Sequence, residues 1–188
     1  MSLETAMVAA AINGDNLTPQ IVTSSHYKHW VSVEDFRRCL ICENNHGKIW
    51  LISEDPEFKP PEHLNCRCVI TLLQSIVAGT ATINGVDGAD WTLLYKQDLP
   101  NYYISQGDLE FLGWCRGDKV SKFVEGKMLF GGVYKNRNQH LPQVSGRVWY
   151  EADINYKNGR RNKQRILWSN DGLIFVTYDH YKTFYEII

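Results

Sequence analysis

The sequence predicts an α+β fold, short helices packed on a twisted antiparallel β-sheet, with a small Cys/His-rich domain ahead of it. Three observations carry this. Apolar residues fall at helical spacing between Asp87 and Val124, and the period changes to two from Arg147 onward. The turn sequences Asn158-Gly159 and Asn170-Asp171-Gly172 separate the period-two runs at hairpin distances. Four of the five cysteines, Cys39, Cys42, Cys66 and Cys68, crowd into the first part of the chain.

Taken in order, residues 1–23 read as a poorly specified leader with a weak helix over Met7–Ile12. Residues 24–75 form the small Cys/His-rich domain. Within it Ser32, ahead of Glu34 and Asp35, marks a helix start, Asn45-His46-Gly47 a turn, and Lys48–Ile52 a short strand. Small and β-branched residues over 76–82 read as a linker, and 83–188 as the main domain. There Asp87–Gln97 is the first helix, with Trp91, Leu94 and Tyr95 on one face. Ser105 followed by Asp108 approximates a capping box for a helix ending at Gly113, and a third short helix covers Val120–Val124. Arg147–Tyr156, Gln164–Trp168 and Leu173–Tyr178 then form an antiparallel meander, and helices followed by strands define the class.

The 188 residues are 44% hydrophobic and 22% charged, enough for one core and a small satellite. No run of eighteen apolar residues and no basic start before a long apolar stretch is present, so neither a membrane span nor a secretory signal is expected. The formal charge of -1 conceals a basic region. Between Lys135 and Arg165 stand eight lysines and arginines against two acids, Glu151 and Asp153, a pattern suited to a polyanion. A solvated basic face gives the same pattern.

The chemistry concentrates on the strand around Glu151. Alternation puts Trp149, Glu151 and Asp153 on one face and Tyr150, Ala152 and Ile154 on the other. Asp153 is then placed to order Arg161 and Arg165, four apart on the next strand, whose forked donors match phosphate oxygens. The last strand adds Asp179-His180-Tyr181. Phosphodiester transfer in RNA needs a base for the 2′-OH proton, cations for the growing phosphoryl charge and an acid for the leaving 5′-oxygen. Glu151, the two arginines and His180 supply those types. Each also fits a plainer place: a solvated sheet carboxylate, a structural histidine, or arginines bridging to Asp153. In the first part, Cys39-x-x-Cys42 followed by His63-x-x-Cys66-x-Cys68 offers five soft ligands for a structural zinc. Two disulfides or free thiols would use the same cysteines.

Residues 83–188 resemble the barnase-like bacterial ribonucleases. The resemblance is carried by Leu99-Pro100-Asn101-Tyr102-Tyr103-Ile104, Leu112-Gly113-Trp114, the run Ser145 to Tyr156, Arg161-Asn162, Arg165-Ile166-Leu167 and Asp179-His180-Tyr181-Lys182-Thr183-Phe184. It implies the microbial ribonuclease fold and a metal-independent endoribonuclease whose product is a 2′,3′-cyclic phosphate, later a 3′-phosphate. It also implies Glu151 as base, His180 as acid, Arg161 and Arg165 on phosphate, Asp153 behind them, and Tyr181 against substrate. Two positions depart from the family. Gln106 stands where a lysine is usual, so one charge near the phosphate is missing. In the base-reading loop the family's Ser-Asn-Arg-Glu becomes Lys135-Asn136-Arg137-Asn138, beside Tyr134, and the guanine-accepting carboxylate is replaced by an amide. Residues 24–75 resemble the C-terminal part of phage minor head proteins of the Mu F and SPP1 type, through Cys39-Leu40-Ile41-Cys42, Asn45-His46-Gly47-Lys48 and His63 to Cys68. Together the two resemblances imply a modular toxin with RNA as substrate, a barstar-like inhibitor as immunity partner, and phage capsid or portal components as further partners. The competing class is a non-catalytic phage head or RNA-binding component whose ribonuclease fold has decayed.

Overall fold

The computed structural model describes residues 17–188, and the helix expected over Met7–Ile12 lies outside them. Its centre is one nine-stranded sheet, built from β1 (Ile21–Val31), β2 (Ile49–Leu51), β3 (Val69–Ile76), β4 (Tyr103–Ser105), β5 (Met128–Tyr134), β6 (Trp149–Asp153), β7 (Arg165–Ser169), β8 (Ile174–Thr177) and β9 (Tyr185–Ile187). The strand order is β2-β1-β3-β9-β8-β7-β6-β5-β4. Pairing is antiparallel except at β3–β9 and β4–β5, which are parallel, so the sheet is mixed. The α-helices are α1 (Leu40–Asn45), α2 (Ala89–Lys96) and α3 (Gln106–Phe111). Among the described residues no helix is long and apolar enough to cross a membrane.

The meander expected from the alternating runs is present as β6, β7 and β8, with Asp153 opposite Arg165 and Arg165 opposite Thr177. Side chains of one face, including Ala152, Ile154, Ile166, Ile174 and Val176, form a core with Ala89 and Leu93 of α2. On the opposite face Trp149, Leu167, Phe175 and Phe184 close over Tyr27, Ile49 and Leu73. The Cys/His-rich segment therefore shares both a sheet and an apolar cluster with the main domain.

Three details differ from the sequence expectations. Residues 76–82, read as a linker, are packed: Ile76 and Ala81 are fully buried, and Asp90 at the start of α2 accepts hydrogen bonds from Gly79 N, Ala81 N and Thr82 Oγ1 at 2.7–2.9 Å. The helix expected near Ser32 starts instead after Cys39, whose sulfur caps Cys42 N. Asp35 is held in a turn by a two-pronged pair with Arg67, both distances 2.7 Å, which also holds its carboxyl well below the usual range. The third helix shrinks to a single 3-10 turn at Val120–Lys122.

Candidate active site

Glu151 lies mid-strand in β6, half-buried, on the face shared with Asp153. Its Oε2 accepts a 2.5 Å hydrogen bond from the Tyr181 hydroxyl. Room for the carboxylate comes from Gly131 across the β5–β6 ladder, where the register shifts between Phe130 and Gly132. A Cβ on Gly131 would stand 3.1 Å from Glu151 Cγ and 3.2 Å from its Oε1. Sequence reading missed this glycine; the Gly131-Gly132 pair inside an apolar run was the available signal.

Asp153, two residues along and fully buried, gathers both arginines. Arg161 grips it with Nε and Nη2 at 2.6 and 2.7 Å, and Arg165 Nε lies 3.0 Å from Oδ1. Only Arg165 is on β7; Arg161 sits in the preceding loop, contrary to the expectation that both share the strand. Arg165 is also fixed from behind, its Nη1 donating to the carbonyls of Asn162 and Gln164 at 2.8 and 2.7 Å.

His180 and Tyr181 occupy the loop between β8 and β9 instead of a strand, both with left-handed backbone at φ 66° and 69°. The loop is held by Asp179 Oδ1, which accepts from Thr177 Oγ1, Lys182 N and Thr183 N. His180 is exposed, with its ring 4.8 Å from that of Tyr181. Partial burial lowers its pKa, and Arg165, Lys163 and Arg161 act in the same direction, while Glu151 opposes them. Burial and the hydrogen bond to Glu151 push the Tyr181 phenol well above its ordinary value, so it stays a donor. Tyr134 stacks on Tyr181 at 5.3 Å and 20°, its own phenol pushed up by burial to about 12.

The remaining expected contacts separate into two groups. Tyr134, Lys135 and Arg137 line an open groove whose other wall includes Lys48, Trp50 and Glu57 of the Cys/His-rich segment. Asn136 lines it too, but its side chain is turned inward, bonding Leu141 O and Leu141 N at 2.9 and 3.2 Å, so it shapes the loop. Asn138 is exposed near the tip of that loop. Gln106, first residue of α3, donates to Glu110 Oε1 at 2.7 Å, four residues along the same helix.

The Cys/His cluster forms around α1. Cys39 Sγ and Cys42 Sγ each lie 3.2 Å from His63 Nε2, Cys42 Sγ is 3.9 Å from Cys66 Sγ, and Cys68 completes a second triad with Cys42 and Cys66. His63 Nδ1 lies 2.9 Å from Leu64 O. A carbonyl only accepts, so Nδ1 carries the proton and Nε2 turns its lone pair toward the sulfurs. Bonds of about 2.3 Å to sulfur and 2.0–2.1 Å to nitrogen give ligand separations close to these, so the donors fit a tetrahedral zinc. All five cysteines are free.

A mixed sheet with α2 packed on one face, and with Glu151, the Asp153-bound arginines and the adjoining His180-Tyr181 loop on the other side, has the architecture of a small microbial ribonuclease. The sequence comparisons agree. The ribonuclease family profile matches residues 95–188, and the profile described as "Phage Mu protein F like protein" matches residues 2–71. A ribonuclease of Bacillus intermedius and one of Bacillus pumilus are each 44% identical over 117 residues, 61% of this chain and 72% of theirs. A ribonuclease of Heyndrickxia coagulans is 45% identical over 109 residues, covering 57% of this chain and 99% of its own. The chain belongs to the bacterial, barnase-like ribonuclease family and carries a phage Mu F-like segment before that domain.

Proposed function

We propose that this chain is an endoribonuclease that cleaves single-stranded RNA without a metal in the reaction. Glu151 removes the 2′-OH proton, the 2′-oxygen attacks phosphorus, and the 5′-oxygen leaves with a proton from His180. The product is a 2′,3′-cyclic phosphate. In the second step His180 takes a proton from water, whose oxygen attacks phosphorus as the bond from phosphorus to the 2′-oxygen breaks; Glu151 gives its proton to the departing 2′-oxygen, and a 3′-phosphate results. Arg161 and Arg165 balance charge on the phosphoryl oxygens, and Tyr181 and Tyr134 offer ring faces to the bases. What supports the reading is the union on one sheet face of Glu151, the Asp153-ordered arginines and the His180-Tyr181 loop. Gln106 brings no charge to this site, and Asn138 accepts only weakly, so a modest rate and weak guanine preference are expected. Functionally we divide the chain at 76–82, the ribonuclease unit following and the Cys/His-rich unit preceding.

The preceding unit holds one structural zinc through Cys39, Cys42 and His63, with Cys66 or Cys68 as fourth ligand. When bound, the ion fixes the fold of a segment with little core of its own. A dinucleotide or long RNA incubated with the protein in EDTA, sampled before the chelator strips the structural zinc, should yield cyclic phosphate that disappears in Glu151→Ala and His180→Ala. Metal analysis of the untreated protein should give one zinc per chain, lost in Cys42→Ser. Binding without product, or cleavage that requires added magnesium, overturns the catalytic reading.

A phage Mu F-like segment ahead of a ribonuclease domain is the layout of a delivered toxin, with capsid or portal components as partners of the first unit. The producing cell then needs an acidic inhibitor of the barstar kind that covers Glu151, Arg161 and His180. Expression of the chain alone should arrest growth and Glu151→Gln should relieve it; normal growth with active enzyme present refutes the toxin role.

A further inference from the structure

We infer that the Cys/His-rich segment braces the catalytic loop, and that His140 is the positioning residue through which it does so. The inference rests on the reading of Glu151 as base and His180 as acid. Two consecutive non-glycine residues with left-handed backbone, His180 and Tyr181, persist only where their surroundings hold them. Part of that hold is internal to the ribonuclease unit: Thr177 Oγ1 accepts from Tyr181 N at 3.0 Å, and Lys163 O accepts from His180 N at 3.1 Å. The rest comes from His140, in the loop after β5, which is itself bonded to the Cys/His-rich segment. His140 Nδ1 lies 3.2 Å from Tyr181 O and donates to it, since the carbonyl has no proton to give. The same residue's carbonyl accepts from Ile49 N at 2.8 Å, the first residue of β2.

Gly47, at φ 80°, lies against the His140 ring and the residue that follows Tyr181: a Cβ there would meet Lys182 O at 3.1 Å and the His140 ring at 3.6 Å. Gly47 N and Lys48 O bond Trp30, which is fully buried against Cys42 and Cys68. A continuous set of contacts thus runs from the cysteine cluster through Trp30 and residues 47–49 to His140, then to Tyr181, whose hydroxyl meets Glu151. Burial lowers the His140 pKa, which keeps the ring neutral in this role. The segment therefore sets the base's hydrogen-bond partner in place, and is more than a tether.

The test is a double-mutant cycle in the full chain, read as kcat and KM on a dinucleotide. His140→Leu should lower kcat by about 10- to 100-fold with KM little changed, as expected for misplacement of a reacting group. His140→Asn, whose side-chain NH2 sits where Nδ1 was, should recover most of the loss. Gly47→Ala should act in the same direction as His140→Leu. Because His140 acts through Tyr181, Tyr181→Phe combined with His140→Leu should lose less than the product of the two single losses. Should His140→Leu fail to fold, Gly47→Ala with Tyr181→Phe provides the same cycle. Strict multiplicativity, or full activity in the folded variants, overturns the brace while Glu151→Gln remains strongly impaired. If Glu151→Gln cleaves like the parent, the catalytic reading fails and the brace falls with it.

Discussion

Glu151→Gln is expected to lower kcat/KM for RNA cleavage by about 10²–10⁴-fold with the fold intact, and His180→Gln to do the same. Glutamine keeps the shape that fits against Gly131 and keeps an oxygen for the Tyr181 hydroxyl, so what is removed is the basic lone pair. His180 is exposed at its loop and contributes little packing, so its replacement is a chemical change as well. The double variant should be far better than the product of the two losses implies, because base and acid serve one transition state. The pH profile supplies a second, independent readout. His180 must be protonated to act as acid, and its pKa is lowered, so kcat/KM should begin to fall with rising pH below the ordinary histidine value. Glu151 is the nearby group that raises this pKa, and in the residual activity of Glu151→Gln the alkaline limb should move to still lower pH. An alkaline limb that ignores both substitutions would remove His180 from the reaction.

The site was more legible in the sequence than the frame that supports it. Alternation in β6 is regular, so Glu151 and Asp153 could be assigned to one face, and Asn-Gly and Asp-Gly turns fixed where neighbouring strands return. β1 resisted the same reading for a physical reason. Its buried residues Ser24, Tyr27 and Trp30 fall three apart, because the register with β3 shifts between Thr23 and Lys28 and Ser24 Oγ bonds His26 N and Tyr27 N there. A period of three matches neither template. Residues 76–82 look like a linker because they are small, yet they are small because the turn must close around Asp90. The carboxylate that organises them, Asp90, lies eight to eleven residues downstream of the groups it bonds and carries no mark of the role. Arg161 and Asn136 failed for a common reason, since composition told which side chains were present but not which were already engaged. Asn136 turned inward to Leu141, and Arg161 reached Asp153 from a loop.

Asp153→Ala is expected to cost about 3–5 kcal/mol of stability, the range for removing one partner of a buried ion pair. For a chain of this size that corresponds to a fall of roughly 10 °C in Tm. The effect should be large because Asp153 is fully buried and faces two cations, one of them Arg165 with only 7% of its side chain exposed. Arg161, at 27%, can swing toward water; Arg165 is anchored by Asn162 and Gln164 and cannot. Removing the carboxylate thus leaves a guanidinium in the sheet without its counter-charge. Asp153→Asn should fall between, because it keeps volume and an acceptor but not the charge. The informative variant changes both partners, Asp153→Leu with Arg165→Met. Well-packed apolar replacements of a buried pair are often neutral or stabilising, so Tm should return toward the parent value. Cleavage should not return with it, since one phosphate-facing guanidinium is gone and the other has lost the group that aims it. Recovery of both Tm and kcat would mean that the Asp153 cluster holds the sheet together and takes no part in handling phosphate.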